Sequence, residues 1–227
     1  MIRAPATCRI ALVASLAILA GPAVASPRDD RPPATLLAGE PARGAAADPV
    51  FELLRLERLS CKFSEEKRVA LLARPLTSTG TIHFDRERGI ARSTLTPKVQ
   101  QVVLTRTSLR IRTARKTEEI PLDKSKDLRA FALIFPTLLR GDRAELERAF
   151  DLGLYGSAKD WWALAFTPKT ASLKKLVQRV VVFGRKTEIV SLQVVEASGD
   201  TTVTQLTDIR KNADVPATEI ATAFGAP

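Results

Sequence analysis

The chain has 227 residues, 45% of them apolar, and a formal charge of +10. That length supplies one domain of about 150 to 200 residues with a sizeable core, plus short accessory segments. The charge alone would point to nucleic acid, but the first residues exclude that partner. MIRAPATCRIALVASLAILAGPAVAS carries Arg3 and Arg9, an apolar run from Ile10 to Ala20 and the small triplet Ala23-Val24-Ala25. This is the layout of a secretory signal peptide over residues 1–25, cleaved before Ser26. The run is shorter than the ~18 to 20 residues that span a bilayer, and no cysteine follows it to carry a lipid. The mature protein is expected to be soluble and outside the cytoplasm, away from genomic DNA. Losing the two arginines takes the charge from +10 to +8, which favours anionic membrane surfaces or acidic proteins. Loss of Cys8 leaves Cys61 without a partner in the chain, and it reads as a small buried hydrophobe.

Residues 26–47, rich in proline, alanine and glycine without a period, read as a flexible leader. Asp48-Pro49 looks like a cap followed by proline at the first helical position, and the apolar residues from Val50 to Leu59 predict a helix over about 49–60. Alternating runs then follow at 63–72, 80–85, 90–95, 99–105, 108–113 and 116–120, the pattern of an antiparallel meander. Leu109 and Ile111 alternate with Arg110 and Arg112, one face to a core and one to water. In DLRAFALIFPTLLRGD, Leu128, Phe131, Phe135 and Leu138 fall on one helical face and Leu133, Ile134 and Leu139 on the other. Such a helix must be covered on more than one side, and Pro136 must bend it or end its first half near Phe135. Asp142 with Glu145 resembles a capping box for a short helix to about Arg148. Strands resume at 150–155, 161–168, 177–184, 188–197 and 201–209. The fold class is α+β: a large antiparallel sheet of ten or eleven strands that must curl, with helices covering its concave side.

The order of these elements resembles the LolA-type periplasmic carriers of outer-membrane lipoproteins. The family's Phe-x-Gln strand reads Phe63-Ser64-Glu65 here, with glutamate for glutamine. Its glycine, strand, arginine and closing proline fall on Gly80, Ile82 and Phe84, Arg86 and Pro97. Glu87 stands for the family's first proline, Ile90 for its phenylalanine and Arg92 for its tryptophan. Phe166 to Lys169 matches its Leu-Thr-Pro-Lys segment, the last hairpins are similar, and Phe224 lies near the expected C-terminal phenylalanine. The resemblance covers about residues 50–224 through several weak matches in the right order.

The resemblance implies an unclosed antiparallel barrel with a helical lid over residues 48–227, and a periplasmic, monomeric carrier whose cargo is an acylated lipid or lipoprotein. It implies an inner-membrane exporter and an outer-membrane acceptor as partners, and neither a cofactor nor nucleic acid. The lid helix would carry Leu128, Phe131, Ile134, Phe135 and Leu138. The cavity wall would carry Ile82, Phe84, Leu109, Ile111, Trp162, Leu164 and Phe166. Arg86 would latch the lid through backbone carbonyls, and Ile90 and Arg92 would stand at the cavity mouth, where Arg92 meets an anionic headgroup. A single-domain sensor of lipid or peptide with the same fold is the alternative. An enzyme is not expected: His83 is the only histidine, no nucleophile elbow or metal-ligand spacing occurs, and Glu65, Glu66, Asp123 and Asp127 show no pairing in sequence.

Overall fold

A computed structural model describes residues 31–225, so the expected signal peptide lies outside the described residues. Eleven strands form one antiparallel sheet: β1 (Arg58–Arg68), β2 (Leu76–Asp85), β3 (Gly89–Thr96), β4 (Gln100–Leu104), β5 (Ser108–Thr113), β6 (Thr117–Pro121), β7 (Phe150–Gly156), β8 (Trp161–Pro168), β9 (Val177–Arg185), β10 (Glu188–Glu196) and β11 (Thr201–Lys211). Their order is β6-β5-β4-β3-β2-β1-β11-β10-β9-β8-β7. Two meanders therefore meet at the pairing of the first strand with the last, where Phe63 faces Leu206. The sheet does not close; β6 and β7 are its edges, and the helical insert joins them.

Period-two alternation sorts the side chains onto two faces. Leu59, Cys61, Phe63, Ile82, Phe84 and Ile90 belong to the same buried cluster as Leu164, Phe166, Val180, Val182 and Leu206. Helices lie on this trough face. They are α1 (Asp48–Leu53), α2 (Lys126–Ala132), α3 (Ile134–Leu139), α4 (Arg143–Glu147) and α5 (Ala171–Lys174). They contribute Val50, Phe51, Leu54, Ile134, Leu138, Leu139, Leu146 and Leu173, all buried. On β9, Gly184 leaves room for a ring: a Cβ there would stand 2.0 Å from Trp162 Cζ2. The fully buried indole donates from Nε1 to Lys186 O at 2.9 Å.

The structure departs from expectation in several places. The first helix ends at Leu53 rather than near residue 60. Leu59, Cys61 and Phe63 alternate as a strand, so β1 begins at Arg58, five residues before the expected Phe63. A run of closely spaced leucines suits either element, and the sheet's need for a central strand decides it. The expected leader is partly ordered: Leu36 and Leu37, with Tyr155, pack on Ala163, Ala165, Val181 and Phe183 of the outer face, and Ala42 bridges Leu154 of β7. A sixth helix, α6 (Ala217–Phe224), was not expected. It lies over the outer face of the first meander, so Arg110 and Arg112 are half-buried rather than fully in water. Arg110 donates to Phe224 O at 3.5 Å, and Gln101 to Ala223 O at 2.9 Å.

Candidate functional site

All the expected wall residues lie on the trough face. Ile82, Phe84, Trp162, Leu164 and Phe166 are buried; Leu109 and Ile111 are half-buried, opposite Leu104 and Val102. Ile90 is also buried in this core rather than standing at a rim.

The expected lid is two helices. Pro136 has no N–H, and its ring would meet the carbonyl of Ala132 four residues back in a continuous helix. The first helix accordingly stops at Ala132, Leu133 serves as the break, and Pro136 sits in the first turn of α3. The two halves are held differently. α2 has no buried residue; its Leu128 and Phe131 are half-buried. In α3, Ile134, Leu138 and Leu139 are buried and Phe135 is half-buried. α2 is tied at its start, where Ser125 Oγ accepts from Leu128 N and Thr170 Oγ1 donates to Asp127 Oδ1 at 2.8 Å.

The last carbonyls of α3 lack partners within the helix, and each has found one. Asp142 N donates to Thr137 O and Gly141 N to Leu138 O, with Gly141 at φ +70°, which together make a Schellman cap. Leu139 O accepts from Leu56 N at 2.9 Å. Arg140 O accepts from Arg86 Nη1 at 3.5 Å, the long limit for such a bond. Arg86 Nε also lies 2.7 Å from Glu57 Oε1, an ion pair without hydrogen-bond alignment. Arg55, Arg86, Arg106 and Arg140 line a polar concavity of about 570 Å³ beside Gly141 and Asp142. Burial, then the charges of Arg106 and Arg86, hold Arg140 below the usual arginine range, against the opposing pull of Asp142. The arginine-rich turn thus faces the C-terminal end of α3, where the helix dipole favours cations.

At the opposite end of the sheet the trough face turns charged. Arg92 lies over the Phe63 ring, 4.1 Å from guanidinium to centroid, and Nη2 donates to Glu65 Oε1 at 2.8 Å. Thr204 Oγ1 donates to Glu65 Oε2 at 2.8 Å, and Ser78 Oγ lies 3.3 Å from Oε1. Burial alone would raise the Glu65 pKa; the hydrogen bonds and charge of Arg92, with Thr204 and Ser78, outweigh it and lower the pKa. Beside this pair, buried Lys67 meets Glu196 at 2.6 Å. Glu65 and Arg92 are two of the positions at which the chain departs from the resemblance, and here the departures are partners. The two residues stand on β1 and β3, on the same face and on either side of β2, so only the register across β2 brings the opposite charges together.

His83, on the outer face, has Nε2 3.0 Å from Glu219 Oε1 of α6. Glu219 also accepts from Ser60 Oγ at 2.7 Å and from Arg210 at 2.6 Å. The sequence signal for α6 was Ile220 and Phe224 four residues apart behind Pro216. Hydrogen bonds from Arg210 and Ser60 bring the Glu219 pKa down to about 2. A depressed folded pKa stabilises above the unfolded value and loses that stability as pH falls through the folded one. Protection of the 217–224 amides from hydrogen exchange should therefore fall between about pH 4.5 and 2, and Glu219→Gln should remove that pH dependence. Cys61 is buried, and burial pushes its thiol up to about 12, well clear of thiolate chemistry. Among the described residues no group of three or more His, Cys, Asp and Glu could hold a metal ion. No helix there is long and apolar enough to cross a membrane.

One open antiparallel sheet, apolar on its concave face and stoppered by a helical insert, places the protein in the class of unclosed α+β barrels. A family model described as outer membrane lipoprotein carrier protein LolA-like matches residues 27–225, and the chain belongs to that family. Among solved structures it is similar to a DUF1329 family protein from Desulfovibrio piger, at 13% identity over 79% of this chain and 99% of that one, with a TM-score of 0.43. A LolA superfamily protein from Nitrosomonas europaea matches at 12% identity over 77% and 97%, with a TM-score of 0.41. A chain of the Pseudomonas aeruginosa MucA/MucB complex matches at 16% identity over 81% and 62%, with a TM-score of 0.43. No curated protein matches the sequence.

Proposed function

We propose that the protein is a periplasmic carrier that shields the acyl chains of a lipoprotein or related lipid in its trough. In this reading it takes cargo from an inner-membrane exporter and passes it to an outer-membrane acceptor. The observation that carries this is the occupant of the trough: in the closed form, the space between the walls is filled by the buried side chains of α3. Exposing Ile134, Leu138 and Leu139 to water costs roughly 5 to 9 kcal/mol, at 1.5 to 3 for each side chain. Burying a 16-carbon chain from water is worth about 12 kcal/mol, at ~0.8 per CH₂. One acyl chain can thus replace the stopper, and the stopper can expel the chain once a membrane accepts it. Because α2 buries little, it moves first, about Leu133, and α3 follows only in exchange for cargo. Arg86 is the latch: its bond to Arg140 O closes the end of α3, and the length of that bond suits a contact that must break.

The test is native mass spectrometry of the protein purified gently from its own compartment. Acylated molecules in stoichiometric amount are expected. Protein free of them, which also fails to take up a fluorescent fatty acid, would overturn the proposal.

A further inference from the structure

Among the described residues, the large apolar side chains that stand exposed lie on two hairpin tips at one end of the sheet. Leu71 is 93% and Leu72 43% exposed between β1 and β2; Leu95 is 57% and Val99 72% exposed at the β3–β4 connection. β2 pairs with β3, so the two tips are neighbours. Four such side chains gathered at one end of the sheet differ from the singly scattered ones that any surface carries. The same tips are basic. Arg68, Arg74 and Lys98 are exposed on them, and neither RVALLARP (68–75) nor LTPKV (95–99) contains an acidic residue. Arg115 and Lys116 stand exposed on the β5–β6 turn at this end. Arg68 pairs with Glu66 at 2.8 Å and Lys116 with Glu118 at 2.8 Å, while Asp200 accepts from Ala70 N at 3.2 Å, so Arg74, Lys98 and Arg115 are the cations left to meet an anionic surface.

Leucine and valine at the tip with a basic surround suit one environment above others. Apolar groups enter the boundary below the headgroups, and lysine and arginine remain among the phosphates. We infer that these two hairpin tips form a docking surface for an anionic lipid bilayer. Each tip is too short to span the membrane, so contact is peripheral and reversible, and it weakens with salt. β1 connects this surface to the trough: from Leu71 the strand runs back through Lys67 and Glu65 to Phe63, so docking presents the charged end of the trough to the membrane. The inference does not depend on the carrier reading, because it concerns a surface outside the trough.

The experiment is co-sedimentation of the full mature chain with vesicles of phosphatidylglycerol and phosphatidylethanolamine, compared with phosphatidylcholine alone. Binding to the anionic vesicles is expected, falling at least tenfold from 50 to 500 mM NaCl. Leu71→Ser/Leu72→Ser and Arg74→Glu/Lys98→Glu should each weaken it by tenfold or more. Both pairs are exposed, so the melting temperature and fatty-acid retention measured without vesicles should stay at the parent's level. Equal binding to both kinds of vesicle, or unaltered binding by both variants, would overturn the inference. Binding seen only on native membranes, and lost when their proteins are digested, would overturn it in favour of a protein partner.

Discussion

Leu138→Ala should make the protein less stable and at the same time a better acceptor of acyl chains. Leu138 is fully buried on α3, and truncating such a leucine costs about 2 to 5 kcal/mol. For a chain of this size, a loss of about 3 kcal/mol lowers the melting temperature by roughly 6 to 12 °C. In a carrier that opens by withdrawing α3, the same contact is missing from the loaded state. The opening cost falls with it, and apparent affinity for a fatty acid rises by as much as about 100-fold. Phe166→Ala is the control. Phe166 is as deeply buried but belongs to the wall, where it meets Phe150 edge-on at 6.2 Å. It should lower stability and affinity together. Thermal unfolding and a fluorescent fatty-acid titration read both quantities, and opposite signs for the two variants separate stopper from wall. If Leu138→Ala weakens binding instead, α3 stays in place when cargo enters.

The second large effect lies in the Glu65–Arg92 pair. Glu65→Leu strands a guanidinium over Phe63, and Arg92→Leu strands a carboxylate that is 9% exposed. Removing one member of a buried pair costs about 3 to 5 kcal/mol, while replacing both by apolar groups is often close to neutral. Arg92 keeps some contact with water, so Glu65→Leu should fall at the low end of that range and Arg92→Leu at the high end. The double variant should recover most of the loss in urea unfolding. The pH dependence follows from the lowered Glu65 pKa. The pair's contribution is complete above the ordinary carboxylate value of 4.5 and disappears as pH falls through the depressed folded value. The parent should therefore lose more stability than the double variant on acidification below about pH 4.5.

Alternation made most of the sheet legible. From Leu76 onward the strands fall within a few residues of their expected positions, because one face of each meets a core and the other does not. Pro136 likewise signalled a division of the helical insert, which falls at Leu133, two residues before the expected Phe135. What failed was local sequence with two readings: Leu54, Leu56 and Leu59 satisfy a helical stripe, and only the pairing of β1 with both β2 and β11 makes Leu59 a strand residue. The site was less legible because its contacts cross the sheet. Glu65 on β1 reaches Arg92 on β3 and Thr204 on β11. Such pairs require a register that no single segment encodes. The outer-face helix escaped notice because Ile220 and Phe224 supply only two turns of pattern.

The middle of the sheet is made by strands 139 residues apart where Thr204 meets Glu65. Any process that delivers the chain from its N-terminus, as synthesis does, leaves β1 exposed on one side until β11 arrives. The keystone is set last, and the half-built arch should be slow to consolidate, since a long loop must close before the contact forms. In that interval the unpaired flank of β1 is the place where a holding chaperone would have most to gain.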